Sequence, residues 1–394
     1  MADEITRREQ FYAAILGEGQ IPEPKTREEQ YLQRIAQNGG GGGGGTTVIA
    51  KPKKAPTSWS KCHEISVSNG RCAYGNGTFV CAYTEQVGRD PYARVLYSKD
   101  GVTWKNGSGI STSVGYGLSS IAYGNGVFIA VGSYSLGADY IVESKDNGQT
   151  WQPISLPSGV THVTNIQYIA GKFYLIESAS PYGIWNSVDG NEWTKVSDAG
   201  IALEVIAYGQ GLMCGISGDS SIYVSDDMGV TWTDKTIPTT DSSSEVLDII
   251  YVDDVEYRGF YAVGVDSAQG GGLWYSEDGD TWAKTNIATE TTQGTTTKGL
   301  RTIGYGNKML VMAGNGDQTY YKIGNNSPVA LTPVATDDYS RNIVYGAGMI
   351  LHATSSGIYN LDGITEEVSI SELSYTFNRL IDMLNIQSAE EVSF

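Results

Sequence analysis

One short hairpin sequence recurs seven times in this chain of 394 residues, and no other feature restricts the fold as strongly. Each copy has an apolar strand that ends in Tyr, a tight turn, and a second apolar strand, as in IAYGNGVFIAVG at 121–132. An Asn-Gly turn between alternating apolar residues is a strong β-hairpin signal. The spacing of these tyrosines, 40 to 54 residues, predicts an array of structural repeats. The tyrosines are Tyr74, Tyr123, Tyr168, Tyr208, Tyr251, Tyr305 and Tyr345.

A second motif, S-x-D-(x)-G-x-T-W with variation at the Thr, follows the hairpin in five of the seven units. We call it the Ser-Asp-Trp turn. Ser and Asp side chains can accept hydrogen bonds from turn amides, Gly permits a positive φ, and Trp can cover the turn. We therefore predict a structural role for its residues rather than a catalytic one. They are Ser98, Asp100 and Trp104; Ser144, Asp146 and Trp151; Ser187, Asp189 and Trp193; Ser225, Asp227 and Trp232; and Ser276, Asp278 and Trp282.

Each unit provides four predicted strands: the two of the hairpin, one before the Ser-Asp-Trp turn and one after it. Four strands in about 45 residues are typical of a propeller blade. The sequence therefore predicts an all-β fold with a seven-bladed β-propeller at 59–370, and a six-bladed ring is the less favoured alternative. We expect the second strand, rich in Gly and Ala, to lie nearest the axis. Either 57–62 or 366–370 completes the last blade, and the sequence leaves both open.

Residues 1–38 contain a different repeat, TRREQFYAAI at 6–15 and TREEQYLQRI at 26–35. A Thr followed three residues later by Glu fits a helix capping box, and the apolar residues share one helical face. Two short helices are marginal alone, so the repeat predicts an anchor that docks on a partner. The anchor residues are Thr6, Glu9, Tyr12, Ile15, Thr26, Glu29, Tyr31, Leu32 and Ile35.

The segments that flank the predicted propeller have different compositions. Residues 39–58 begin with seven consecutive glycines and are predicted to be a flexible tether between the anchor and the displayed domain. Residues 371–394 contain apolar residues at helical spacing, which predicts a C-terminal amphipathic helix. That helix either packs on the propeller or self-associates, giving a homo-oligomer.

Composition excludes several classes of partner. The formal net charge is −18, and the first 60 residues carry one net positive charge, so the remainder is near −19. Such a domain repels nucleic acid and anionic lipid, and we expect neither nucleic acid nor a membrane as a partner. No secretion signal, membrane span or metal-ligand spacing is visible, and we expect no cofactor. Cys72 and Cys81 are interpreted as buried thiols, typical of a chain made in a reducing cytosol.

Two resemblances add to this interpretation. The Ser-Asp-Trp turns resemble the Asp-box (BNR) repeats of sialidase-like β-propellers, over about 59–370. This resemblance implies that each turn joins the third and fourth strands of a blade, away from the axial site. The start of the second N-terminal repeat, TREEQYL at 26–32, is similar to the start of virion fibre and tail proteins of phages that infect Gram-positive bacteria. It implies a virion location after assembly in the host cytoplasm, with capsid, portal or tail proteins as partners of 1–38.

Sequence alone therefore favours a phage virion structural protein, a head or tail fibre or decoration protein, that displays its propeller for host attachment or carbohydrate binding. Loops rich in Tyr, Trp, Asp and Ser suit sugars. A virion-associated glycoside hydrolase and a purely structural decoration protein are the alternatives. Arg71, Arg301 and Arg341 precede three hairpins and could form the arginine triad of a sialidase, but pairing with nearby carboxylates is favoured. We expect no enzymatic activity, and glycosidase activity stays open.

Overall fold

The computed structural model describes residues 49–51, 56, 58–65, 67–110, 117–133, 139–160, 162–217, 221–235, 237–238, 244–266, 270–288, 299–314, 319–324, 326–331, 340–361 and 366–368. The chain divides into two units, one made of 1–53 with 365–394 and the other of 54–364. The helices predicted at 1–38 and 371–394, with all nine anchor residues, lie outside the described residues. In the first unit, the described part is a two-stranded antiparallel sheet in which Ile49 pairs with Val368.

The described residues form 30 strands. The first unit contributes β1 (Ile49–Lys51), and the second unit begins with β2 (Trp59–Glu64), followed by β3 (Val67–Gly75), β4 (Thr78–Val87), β5 (Asp90–Ser98), β6 (Lys105–Asn106), β7 (Ser120–Gly124), β8 (Val127–Ser133), β9 (Asp139–Ser144), β10 (Gln152–Pro153), β11 (Val163–Ile169), β12 (Lys172–Glu177), β13 (Gly183–Ser187) and β14 (Thr194–Asp198). The later strands are β15 (Leu203–Gly209), β16 (Leu212–Ser217), β17 (Ile222–Ser225), β18 (Thr233–Lys235), β19 (Glu245–Val252), β20 (Gly259–Asp266), β21 (Gly270–Ser276), β22 (Ala283–Ala288), β23 (Leu300–Gly306), β24 (Met309–Gly314), β25 (Thr319–Ile323), β26 (Val329–Ala330), β27 (Ser340–Gly346), β28 (Met349–Thr354), β29 (Gly357–Leu361) and β30 (Glu366–Val368).

Strands β2 to β29 form seven four-stranded antiparallel sheets, which are the blades of a propeller. The predicted all-β, seven-bladed fold is confirmed, and the six-bladed alternative is wrong. Blade 1 is β3 to β6, and the following blades each take the next four strands. Blade 7 takes β27 to β29 from the end of the ring and β2 from its start, with Trp59 paired to Leu361. The ring therefore closes through the segment predicted at 57–62, whereas the alternative, 366–370, is wrong because 366–368 pair with β1.

The first two strands of most blades are joined by a two-residue turn. In blade 1, Asn76 and Gly77 have φ values of 47° and 71°, so both central residues are left-handed. This is the type I′ geometry, whose twist matches that of the flanking strands. The Asn-Gly signal of the sequence therefore located the hairpins of blades 1 and 2 correctly.

A disulfide bond joins Cys72 to Cys81 within the blade 1 hairpin. The interpretation of these residues as thiols is wrong. The turn places the two residues directly opposite each other in β3 and β4, with their Cα atoms 4.0 Å apart, which is close enough for a cross-strand bond. Their even placement about the Asn-Gly turn was the sequence signal that could have shown the pairing. Cys62 and Cys214 are free.

First strands, rather than second strands, line the axis. The first strand of every blade contacts the first strand of the next blade around the whole ring, so the expectation that the second strand is innermost is wrong. The Tyr that ends each first strand explains the neighbouring Gly. A Cβ atom on Gly75 would lie 2.0 Å from the ring of Tyr123 in blade 2, and a Cβ on Gly346 would meet Tyr74 of blade 1. Only Gly allows the blades to approach this closely.

Polar side chains on the innermost strands bond the free backbone edge of the next blade. The Asn342 side chain in blade 7 accepts from the Cys72 amide at 2.9 Å and donates to the Cys72 carbonyl at 2.8 Å. Gln167 makes the same two bonds with Ile206, between blades 3 and 4, at 2.7 Å each. An open strand edge leaves such groups unpaired, so these side chains replace a missing strand.

The hydrophobic core is divided among the seven contacts between neighbouring blades. Seven buried clusters each combine residues of two adjacent blades, including one that joins blade 7 to blade 1 through Leu351 and Phe79. Because each blade is an antiparallel meander, its connections lie on two faces of the ring. We call the face with the turns between strands 1 and 2 and between strands 3 and 4 the hairpin face. The opposite face is the loop face.

Candidate functional site

The five Ser-Asp-Trp turns all connect a third strand to a fourth strand, on the hairpin face. In blade 4, the Ser225 hydroxyl donates to Asp227 Oδ1 at 2.8 Å and accepts from the Gly229 amide at 2.8 Å. Asp227 also accepts from the Thr231 amide at 2.9 Å and from the Thr231 hydroxyl at 2.6 Å. Trp232 Nε1 donates to the Gly229 carbonyl at 3.1 Å. All these polar groups therefore have partners inside the turn.

The other four turns repeat this arrangement. In each, the Ser is buried and donates to its Asp, the Asp accepts from turn groups, and the Trp donates to the carbonyl of the turn Gly. The equivalent bonds are those of Ser98, Asp100 and Trp104; Ser144, Asp146 and Trp151; Ser187, Asp189 and Trp193; and Ser276, Asp278 and Trp282. In every turn, at least one carboxylate oxygen of the Asp accepts hydrogen bonds from the turn itself.

Hydrogen bonding keeps these carboxylates ionised. The amides of Asn191 and Glu192 are the main cause that lowers the pKa of Asp189 to about 2. The Thr231 hydroxyl and amide lower the pKa of Asp227 to about 2. A general acid must instead hold its proton near neutral pH, so the shifts have the wrong direction for that role.

Blades 6 and 7 lack the Ser-Asp-Trp turn. In blade 6, an insertion from the hairpin of blade 5 supplies one of the missing hydrogen bonds. Residues 253–258 extend the hairpin of blade 5 and bury the Tyr257 side chain against blade 6. The Tyr257 hydroxyl donates to the Lys308 carbonyl at 2.8 Å and accepts from the Gly324 amide, in the turn between β25 and β26. A side chain from the neighbouring blade thus bonds a turn amide of the kind that Asp bonds elsewhere.

The three arginines do not occupy equivalent positions. Arg301 and Arg341 are each the extra residue of a bulge, whereas Arg71 pairs directly with Ala82. Arg71 instead lies near Asp248 on the innermost strand of blade 5. Burial raises the pKa of Asp248, and the Arg71 charge opposes that shift. The Arg71 charge thus acts on a carboxylate, in line with the favoured alternative, and the unequal register positions do not support a triad of equivalent arginines.

The described part of the chain contains no group of three or more His, Cys, Asp or Glu side chains that could hold a metal ion. The buried His352 ring lies 3.0 Å from the Ser340 hydroxyl. Burial lowers the pKa of His63. Among the same residues, no helix is both long and apolar enough to cross a membrane.

A cavity of about 330 Å³ opens on the loop face where the ring closes. Its walls come from three places far apart in the chain: the end of β2, the end of β4, and the turn between β28 and β29. We call it the seam pocket, lined by Glu64, Ile65, Tyr83, Glu85, Ser355 and Ser356. The sequence does not predict this pocket, because its lining residues come from distant parts of the chain.

Tyr83 forms the buried wall of the seam pocket. The residue is only 7% exposed. Burial, with a contribution from the Glu85 charge, raises the pKa of Tyr83 to about 12. The hydroxyl is therefore protonated near neutral pH and can donate a hydrogen bond to a ligand.

Two carboxylates lie at the edge of the seam pocket, and they differ in exposure and in the distance to their basic partners. The Glu85 carboxylate forms an ion pair with Arg94, with Oε2 and Nε 2.8 Å apart, and both side chains are about one-third exposed. The Glu64 side chain is 87% exposed, and its nearest cation, Lys61 Nζ, is 3.9 Å away. Each of the two acids therefore has a basic partner, and the Glu64 pair is the longer and the more exposed of the two.

The fold and its sites define a seven-bladed β-propeller with a closed ring and a polar pocket at the closing seam. The chain belongs to the family of the DUF6242 beta propeller domain, whose model matches residues 117–325. No curated protein sequence matched the chain.

Several solved structures have a similar fold. YCF48 bound to D1 peptide has a TM-score of 0.59 at 13% identity, over 79% of this chain and 96% of that one. A catalytically inactive virginiamycin B lyase from Staphylococcus aureus with quinupristin has a TM-score of 0.57 at 12% identity, over 77% and 99%. Identity this low shows similarity of fold alone.

Proposed function

We propose that this protein is a non-enzymatic binding propeller carried on a phage virion, and that the seam pocket is its ligand site. The observation that supports this most is the seam pocket itself, a concavity of about 330 Å³ whose wall includes the Tyr83 side chain. The Tyr83 hydroxyl can donate a hydrogen bond to a ligand in exchange for one to water. Pockets with a few convergent polar groups are the usual form of a binding site.

The chemistry of the seam pocket favours a carbohydrate. Glu64 and Glu85 can accept hydrogen bonds from sugar hydroxyls, and the Tyr83 hydroxyl can donate one to a ring or hydroxyl oxygen. Ser355 and Ser356 add hydroxyl groups, and Ile65 adds an apolar wall. The acidic surroundings disfavour anionic sugars such as sialic acid. We therefore expect a neutral or cationic glycan of the host surface as the ligand.

Binding of the full chain to host cells and to a glycan panel tests this function. Tyr83→Phe removes only the hydroxyl, and we expect it to weaken binding about fivefold because one hydrogen bond is lost. Tyr345→Phe is the matched control, since that Tyr lies on the hairpin face, where its hydroxyl donates to Asn307. Equal affinity of the Tyr83→Phe variant and the unaltered chain would remove the seam pocket from consideration.

The virion location rests on the sequence. We infer that residues 1–38 dock on capsid, portal or tail proteins and that the Ser-Asp-Trp turns are Asp-boxes with a structural role. The hydrogen bonds of the five turns support that last inference. The proposed tether is the part of 39–58 that precedes β1, because 49–51 pair with 366–368. Deletion of 1–38 should prevent incorporation into particles while urea unfolding of the propeller is unchanged. Normal incorporation of the deleted chain would contradict the anchor.

A glycoside hydrolase is the second candidate, because Glu64 and Glu85 line one pocket and glycosidases use two carboxyl groups. Their surroundings weigh against it. A general acid is usually kept protonated by burial, whereas these side chains are 87% and 36% exposed. Turnover of any glycan that binds, abolished by Glu85→Gln, would favour the hydrolase. Absence of both binding and turnover would favour a purely structural decoration protein, in which 371–394 makes an oligomer.

A further inference from the structure

Asp248, on the innermost strand of blade 5, occupies the position that Asn342 has in blade 7. Each lies three residues before the Tyr that ends its strand. Asn342 accepts from the Cys72 amide and donates to the Cys72 carbonyl of the next blade. Asp248 Oδ2 likewise accepts from the Ile303 amide of blade 6 at 3.0 Å. An amide group both donates and accepts, whereas a carboxylate only accepts, so the two contacts between blades differ in chemistry.

The Asp248 carboxyl faces several hydrogen-bond donors and one distant cation. Oδ2 also accepts from the Thr302 hydroxyl at 2.9 Å, and Oδ1 accepts from the Ile249 amide at 3.0 Å. Burial is the main cause that raises the pKa of Asp248, and the Arg71 charge and these hydrogen bonds oppose it. Arg71 belongs to blade 1, which is not a neighbour of blade 5, so its charge acts across the axis of the ring.

The remaining charged side chains around Asp248 lie nearer the loop face. The strands in question are β19 itself, its neighbours β15, β20 and β23, and the innermost strand of blade 7, β27. Their charged residues are Glu204, Glu245, Asp266, Arg301 and Arg341. Tyrosines of these strands are neutral between pH 4 and pH 8. The charge state of Asp248 therefore acts first on its contact with β23.

We propose that Asp248 is a proton-dependent link between blades 5 and 6, which holds their innermost strands together more firmly when its carboxyl is protonated than when it is ionised. A protonated carboxyl both donates and accepts, as the Asn342 amide does, and it can donate to the Thr302 hydroxyl. An ionised carboxyl loses this donor and places a charge in a half-buried contact. The link does not involve the seam pocket and goes beyond the binding function proposed above.

The direction of the pH dependence follows from the raised pKa. Folding moves the pKa of Asp248 above its unfolded value near 4. The contribution of Asp248 to stability is therefore fully present below that unfolded value, and it is lost as the pH rises through the folded-state pKa. Asp227 behaves in the opposite way, because its pKa is lowered to about 2 and its carboxylate stabilises the fold throughout the neutral range.

Urea unfolding of the full chain at pH 4 and pH 8 tests the proposal with Asp248→Asn. Asn has the same shape, stays neutral and keeps a donor at both pH values. We expect a folding equilibrium constant about fivefold larger than that of the unaltered chain at pH 8, from one restored hydrogen bond, and a gain of at most about twofold at pH 4. Asp227→Asn is the matched control and should lower the constant at both pH values.

Two further variants test the chemistry of the link. Arg71→Met removes the charge that favours ionised Asp248, so the gain from Asp248→Asn at pH 8 should be larger in chains that carry it. Asn342→Asp places a carboxyl between blades 7 and 1, and it should lower the folding constant about fivefold at pH 8 and less at pH 4.

Three results overturn the proposal. One is no gain, or a loss, from Asp248→Asn at pH 8. Another is a gain of equal size at pH 4 and pH 8, which would mean that the amide improves packing and that the proton has no part in it. The third is a smaller gain from Asp248→Asn in the Arg71→Met chain, because the charge of Arg71 would then not act on Asp248.

Discussion

Removing the Asn342 side chain tests how the ring is closed. Asn342 makes two hydrogen bonds with the backbone of Cys72, at 2.9 and 2.8 Å, across the contact between blade 7 and blade 1. Asn342→Ala leaves an amide and a carbonyl of the innermost strand without a partner. A net contribution of about 0.5–1.5 kcal/mol per hydrogen bond gives an expected loss of about 1–3 kcal/mol in unfolding free energy.

Urea unfolding monitored by tryptophan fluorescence measures that loss, and amide hydrogen exchange at Cys72 locates it. Asn342→Leu has a side chain of similar size and no hydrogen-bonding group, so it should lose as much as the Ala variant. Gln167→Ala is the internal comparison, because Gln167 makes the same pair of bonds with Ile206 at 2.7 Å between blades 3 and 4. We expect a similar loss there, with exchange increased at Ile206 instead.

Two results would refute this reasoning. Unchanged stability of Asn342→Ala with continued protection of the Cys72 amide would mean that the side chain does not support the edge of blade 1. Full stability of Asn342→Leu with a loss in Asn342→Ala would mean that packing, and not hydrogen bonding, closes the ring.

Three further predictions concern the hairpin face. Asp227→Ala should lower the unfolding free energy by about 1 kcal/mol through lost turn hydrogen bonds, while the exposed neighbour Asp226→Ala should have almost no effect in the same urea titration. Because folding lowers the pKa of Asp227 to about 2, its contribution is present above its unfolded pKa near 4 and is lost as the pH falls towards 2, so Asp227→Asn should flatten the acid limb of stability. Tyr257→Phe should cost about 1–3 kcal/mol and increase hydrogen exchange at the Gly324 amide, and unchanged exchange there would contradict the role of the insertion.

The repeat period made the fold predictable from sequence. Seven tyrosines in register specify seven blades, and the Asn-Gly turns at 76–77 and 125–126 specify where two of the hairpins bend. The order of strands from the axis outwards could not be deduced from composition. Gly and Ala in the second strand suggested crowding at the axis, but the crowding is between blades. It comes from Tyr rings that pack on glycines of the first strand, as Tyr123 does on Gly75.

Local motifs were also predictable, because each depends on residues that are close in sequence. The Ser-Asp-Trp turn spans at most eight residues, and its hydrogen bonds need no partner from elsewhere. Two other features needed the register of the strands. The Cys72–Cys81 bond follows from cross-strand pairing, and the different placement of Arg71 and Arg301 follows from a bulge that shifts one of them.

Ring closure explains why the pocket lies where it does. In the other blades, connections of four to 13 residues lead from a fourth strand to the next first strand, whereas only residues 65–66 connect β2 to β3. The turn between β28 and β29 is also only two residues long, 355–356. These two short connections lie where blade 7 meets blade 1, and they leave the pocket wall around Tyr83 uncovered on the loop face. The seam pocket therefore forms because blade 7 takes its fourth strand, β2, from the start of the ring. We base the proposed ligand site on this pocket, which cannot be inferred from any single repeat.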